Sequence, residues 1–199
     1  MTVLLALLVA FAGCGEEHPD PETVLDRALA LGNLAEFGPG PGGGVVAVQA
    51  LGYEDRVLQE QQLKADPPVM TQIRDALGAD SGLRGLVGDL EYDGRADVSG
   101  VSTDHISGEL DVSGLARALD EAGGGDVNQL AGVDRGLDLE KSLASADFDL
   151  YAGERDGVIR RLDLTLAIDD PSNALPPTRI RFSLTPDSPG TDSDQRAAD

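Results

Sequence analysis

Three successive runs near the C-terminus alternate apolar and polar residues with a period of two, and they restrict the fold more than any other feature of the chain. Ala146, Phe148 and Leu150 alternate with polar neighbours. After turn residues at Gly153 to Gly157, the residues Val158, Leu162, Leu164, Leu166 and Ile168 share a face, opposite Arg161, Asp163, Thr165 and Asp169. A proline-rich turn from Asp170 to Pro177 leads to Ile180, Phe182 and Leu184, opposite Arg179, Arg181 and Ser183. Successive strand side chains point to opposite faces, so the pattern predicts an antiparallel meander with one buried and one wet face. Helices must cover the buried face. The expected fold class is α+β, a single antiparallel sheet with short helices over its apolar side.

Upstream residues supply those helices and more strand. Asp20-Pro21-Glu22 is a helix start, with a capping side chain, proline at the first position and an acid in the first turn. Leu25, Ala28 and Leu29 give that helix an apolar face, and Gly32 is placed to end it. Gly38 to Gly44 is a flexible break and no phosphate loop, since a strand at Val45 to Val48 follows it. Val45 to Ala65 reads as a strand pair turning near Tyr53 to Arg56, closed by Pro67-Pro68; a short helix is expected from Val69 to Leu77. Leu83 to Gly108 is a second extended region. Around Asp111 to Ser113 the pattern becomes helical, with Leu115 and Leu119 one turn apart and Gly123-Gly124-Gly125 beyond. A further helix is expected between Asp126 and Ser142. Pro186 to Asp199 is acidic and nearly free of apolar residues, as disordered tails are.

The N-terminus points to the cell envelope. Val3 to Phe11 is an uncharged apolar run, too short to span a bilayer and suited to a signal peptide core. Phe11-Ala12-Gly13-Cys14 then resembles the bacterial lipobox, in which small residues admit the signal peptidase and the cysteine sulfur receives diacylglycerol. Cys14 is the sole cysteine, so no intrachain disulfide can form. The expected organisation is a signal peptide over 1–13, a lipidated tether over 14–19, the folded domain over 20–185 and the tail over 186–199.

The formal net charge is -21. A field of that sign repels phosphate backbones, so nucleic acid is not an expected partner. It also repels anionic lipid, but only by roughly 1 kcal/mol per charge near the surface. Two acyl chains of about fifteen methylenes, at roughly 0.8 kcal/mol each, contribute on the order of 20 kcal/mol. The anchor wins. The expected partner is therefore a membrane, held through the lipid anchor, with the domain a monomer outside the cytoplasm, on the outer face of the plasma membrane in a monoderm or actinobacterial cell.

The segment Asp97 to Val112, reading Val101-Ser102-Thr103-Asp104-His105-Ile106-Ser107-Gly108 into Leu110-Asp111-Val112, resembles a recurrent stretch of actinobacterial lipoproteins of the LppX/LprAFG group. Asp156 to Leu162 is similar to that group's turn and penultimate strands. The resemblance implies an open half-barrel, an architecture shared with the LolA/LolB carriers, holding acyl chains between sheet and helices. It implies a role in carrying or presenting lipid or glycolipid. The region from Leu34 to Ala65 is shorter and more glycine-rich than in that group, so the expected sheet is smaller; extra strands there would favour a cavity. On this reading the cavity is lined by Leu115, Leu119, Leu162, Leu164, Leu166 and Phe182. The alternative is a surface scaffold or protein-interaction lipoprotein without a ligand cavity.

No catalytic constellation is legible, and neither cofactor nor metal is expected. His105 is the domain's only histidine, since His18 lies in the tether, and it shares a strand face with Val101 and Thr103. It reads as a hydrogen-bonded structural histidine. With no second histidine or free cysteine beside it, no zinc site or Cys/His nucleophile is expected. Asp89-Leu90-Glu91-Tyr92-Asp93-Gly94 with Asp97 has acids at the early positions of a calcium loop, but Gly100 stands where the closing Glu belongs. It reads as an acidic hairpin turn. Arg160-Arg161 reads as part of a solvated sheet face.

Overall fold

A computed structural model describes residues 18–30, 33, 44–51, 56–65, 82–121, 139–169 and 178–186. Seven strands form one sheet: β1 (Gly44–Leu51), β2 (Val57–Ala65), β3 (Val87–Val98), β4 (Val101–Leu110), β5 (Leu143–Gly153), β6 (Ile159–Ile168) and β7 (Thr178–Pro186). Their spatial order is β2-β1-β7-β6-β5-β4-β3, antiparallel throughout. The sheet is open, with β2 and β3 at its edges. The C-terminal meander of the sequence is its core, β3 and β4 extend it on one side, and the β1–β2 pair docks beside β7 on the other. The glycine-rich third of the chain thus contributes two strands. β7 runs one residue further than the sequence suggests, to Pro186.

Four helices accompany the sheet among the described residues: α1 (Pro21–Ala28), α2 (Leu83–Leu86), α3 (Val112–Glu121) and α4 (Leu139–Ser142). α1 starts where expected, because the Asp20 carboxylate accepts the Thr23 N–H at 3.0 Å and satisfies an orphan donor of the first turn. It stops at Ala28 with Leu29 as its C-cap, before Gly32. Asp111 caps α3 in the same way, its two carboxylate oxygens accepting from Ser113 N and Gly114 N at 3.1 Å each. The helix expected at Val69 to Leu77, Gly123 to Gly125, Cys14 and the tail after Pro186 lie outside the described residues. Of the helix expected between Asp126 and Ser142, only α4 is described.

The core lies on the helix side of the sheet. Val24, Leu25 and Ala28 of α1 are buried against Ile106, Phe148, Leu150, Ala152 and Ile159. Each fully buried Leu or Ile contributes about 1.5–3 kcal/mol by leaving water, so this cluster fixes α1 to the sheet. Gly108 pairs with Phe148 across β4 and β5, and a Cβ there would meet the Phe148 ring at 2.9 Å. The missing side chain makes room for the largest fully buried residue of the core.

Two expectations are corrected. Asp89 to Gly94 is no hairpin turn but lies within β3, which carries bulges between Gly88 and Glu91 and between Tyr92 and Gly94. Positive φ angles at Asp89 (37°) and Gly94 (110°) mark these bulges. The turn itself falls at Ser99-Gly100, where the Asp97 carboxylate accepts from Gly100 N. The second face of the sheet is also not uniformly wet. Thr103, Asp163 and Thr165 are 0%, 4% and 5% exposed: Thr103 donates to the Ala96 carbonyl, and arginine side chains lie across the other two, Arg161 donating to Asp163 and Arg181 to Thr165.

Candidate functional site

Each face of the sheet has its own candidate chemistry. On the apolar face, inward residues of the central strands are sealed, with Ile106, Phe148 and Leu150 at 0%, 1% and 0% exposure. α1 packs over β3 and β4, and α3 and α4 over β5. Beyond β5 the cover is uneven: Leu166, Ile180 and Leu184 are buried, whereas Leu162 and Leu164 of β6, Phe182 of β7 and Val46 of β1 are only partly buried. Register places Leu164 opposite both Phe148 and Phe182, and Val48 opposite Phe182, so these side chains form a continuous apolar strip.

Of the residues expected to line a cavity, Leu115 and Leu166 are buried in the core at 7% and 3% exposure, and Leu162, Leu164 and Phe182 occupy the partly buried strip. Leu119 lies in α3, with its side chain outside the described residues. The inward position after the β5–β6 turn is Ile159, which strict alternation passes over. A bulge between Tyr151 and Ala152 sets Ile159 opposite Ala152 and shifts the parity by one residue.

α1 is pinned at the edge of this face by a buried ion pair. Arg27 Nη2 donates to Asp104 Oδ2 at 2.7 Å, and Tyr92 Oη donates to Asp104 Oδ1 at 3.1 Å. Asp104 has only 4% of its side chain exposed, Arg27 37%. Arg27 also donates to the Glu154 carbonyl at 3.4 Å, reaching the β5–β6 turn. Burial, and then the hydrogen bond to Asp104, raise the Tyr92 phenol above the usual tyrosine range. The His18 ring lies 5.6 Å from that of Tyr92, so the N-terminal segment reaches the domain at edge strand β3.

The polar face holds what sequence reasoning missed. His105 Nε2 lies 2.8 Å from Asp149 Oδ1 and 3.8 Å from Asp93 Oδ2. The three residues come from β4, β5 and β3, and one ligand atom of each lies within 4.8 Å of the others. The imidazole stacks on Tyr151, with centroids 4.2 Å apart and planes 6° off parallel. Arg161 sits 5.6 Å from the centre of that ring and engages Asp163 through two nitrogens, at 2.8 and 2.7 Å. The hydrogen bond that Arg161 donates to Asp163 pushes the guanidinium pKa up, and burial followed by the Asp149 charge pushes up the Tyr151 phenol. Beside Asp149 opens a cleft of about 320 Å³, lined by Asp89, Glu91, Ser107, Gly108, Glu109, Asp147, Phe148 and Asp149. None of the six residues expected to line a lipid cavity borders it. His105 does make the structural hydrogen bond expected of it, but with a carboxylate, and with a second carboxylate nearby.

No family model and no curated protein matches the chain. Among solved structures it is similar to the Mycobacterium tuberculosis lipoprotein LppX, at 10% identity and a TM-score of 0.40 over 83% of this chain and 95% of that one. It is similar also to LprF from Mycobacterium bovis, at 14% identity and a TM-score of 0.38 over 84% of this chain and 93% of that one. Both are of the group that the segment from Asp97 to Val112 resembles.

Proposed function

We propose that this chain is an envelope lipoprotein, acylated at Cys14, that binds the acyl chains of a lipid or glycolipid against the apolar strip of β6, β7 and β1. The observation that carries this reading is the uneven cover of the sheet. Among the described residues, helices pack over β3, β4 and β5, while Leu164, Phe182 and Val48, partners in register, are left partly buried in a continuous row flanked by Leu162 and Val46. An acyl chain laid along that row removes apolar surface from water at about 25 cal/mol per Å², with no polar partner required. The lining named from the sequence is retained, with Leu162, Leu164 and Phe182 as ligand contacts and Leu115, Leu119 and Leu166 as the wall behind them.

The anchor fits the same geometry. Cys14 stands four residue steps before His18, a reach of at most about 14 Å, so the edge of β3 beside Tyr92 stays close to the membrane that holds the lipid. No described helix is long and apolar enough to cross a membrane.

Native mass spectrometry of protein purified from its host tests the reading, with the expectation of co-purifying lipid that Phe182→Asn reduces more than it lowers stability. Protein that leaves the host without lipid, and takes up none from added vesicles, refutes it.

A further inference from the structure

We infer that Asp93, His105 and Asp149 bind a divalent transition-metal cation of the zinc class on the polar face of the sheet. This inference is independent of the lipid reading, because it concerns the opposite face and different residues.

The donor set distinguishes this place from the acidic surface around it. An imidazole nitrogen with two carboxylates suits zinc, manganese or iron, whereas calcium and magnesium take oxygen ligands. The spacing is right as well. Ligands about 2.0–2.1 Å from a tetrahedral metal stand about 3.3 Å apart. The His105–Asp149 and His105–Asp93 separations of 2.8 and 3.8 Å bracket that value, so small rotations of two carboxylates close the set. The imidazole needs little reorganisation, because the Tyr151 ring fixes its plane. Asp93 is brought in by the β3 bulge: Tyr92 pairs with Ile106 and Gly94 with His105, leaving Asp93 between them as the extra residue.

Charge points the same way. Among the described residues, no lysine or arginine pairs with Asp93 or Asp149; Arg161, beside Tyr151 on that face, is committed to Asp163. Two carboxylates on one imidazole leave negative charge that a dication neutralises. Asp149 also forms part of the wall of the 320 Å³ cleft, which leaves room for water on the metal's remaining positions. Asp93 was legible only as one acid of a calcium-like stretch; histidine and cysteine spacing does not find His105 and Asp149 beside it, because the three are brought together by neighbouring strands.

Titration of the purified protein with ZnCl2, MnCl2, CaCl2 and MgCl2, followed by calorimetry, tests the inference. The expected result is one equivalent of Zn2+ bound more tightly than Ca2+ or Mg2+. Loss of outer partners alone costs metal sites about 10–100-fold in affinity, so His105→Gln and Asp149→Asn should each cost at least about tenfold. Glu109→Gln, a cleft acid outside the triad, should change little. The protein has two histidines, His18 and His105; substoichiometric Co2+ should broaden the His105 imidazole resonance first. Overturning results are several weak equivalents unaffected by His105→Gln, preference for Ca2+, no binding, or broadening centred on His18.

Discussion

Replacing Arg27 by Met should release α1 from the edge of the sheet while keeping its side-chain stem packed. The Asp104 carboxylate, 4% exposed, would lose a donor at 2.7 Å and retain only the Tyr92 hydroxyl at 3.1 Å. Breaking a fully buried pair costs about 3–5 kcal/mol. Arg27 is 37% exposed, so water already screens part of the attraction, and the retained Tyr92 bond offsets more; we therefore expect about 1.5–3 kcal/mol. Urea unfolding with a slope near 2 kcal/mol/M would show the midpoint falling by about 1 M. The combined variant Arg27→Met/Asp104→Leu should recover most of the loss, because no unpaired charge stays buried. Amide exchange at Val24 and Leu25 should quicken in the single variant. A loss below about 0.5 kcal/mol, or the same loss from Arg27→Met with Asp104→Leu already present, would refute the view that this pair holds α1 down.

Gly157→Ala should destabilise by about 1–3 kcal/mol in thermal or urea unfolding, since φ is +69° and a Cβ would meet Arg27 Cγ and Asn33 Nδ2 at 2.7 Å each; a neutral substitution would show that the turn yields freely. The Tyr92 phenol should titrate above the ordinary tyrosine value, because burial and the Asp104 hydrogen bond favour its neutral form. An acid whose folded pKa is raised contributes stability that is full below the unfolded pKa, about 10, and is lost as pH rises through the folded value. Phenolate absorbance measured with and without Tyr92→Phe checks this, and a Tyr92 component at or below the ordinary range contradicts it.

Where polarity repeats every two residues, the fold was legible in the sequence. β5, β6 and β7 fall within a few residues of the expected runs, and the caps at Asp20 and Asp111 stand where a short carboxylate precedes apolar helical spacing. Bulges were not legible. They arise from how two strands accommodate each other, and a single extra residue reverses the faces beyond it. That is why Ile159 was passed over and why Asp89 to Gly94 resembled a turn. The same blindness hid the polar site: Asp93, His105 and Asp149 are far apart in sequence and meet only through the pairing of three strands. Glycine between them signals a bulge, but does not say which side chain the bulge redirects.

The two proposed sites make opposite demands on the sheet, and the structure separates them accordingly. A metal triad requires donor atoms held to within about 0.5 Å. Its strands, β3, β4 and β5, are those that α1, α3 and α4 press on from behind, with Ile106 and Leu150 fully buried directly beneath the polar face. A site for acyl chains of varied length instead requires side chains that can repack, and a close-packed interior resists that. The partly buried strip lies on β6, β7 and β1, beyond the main reach of the described helices. The Arg27–Asp104 pair sits on the rigid side of that division. It therefore holds α1 over the platform instead of gating the strip, and releasing it should loosen the platform before it admits more lipid.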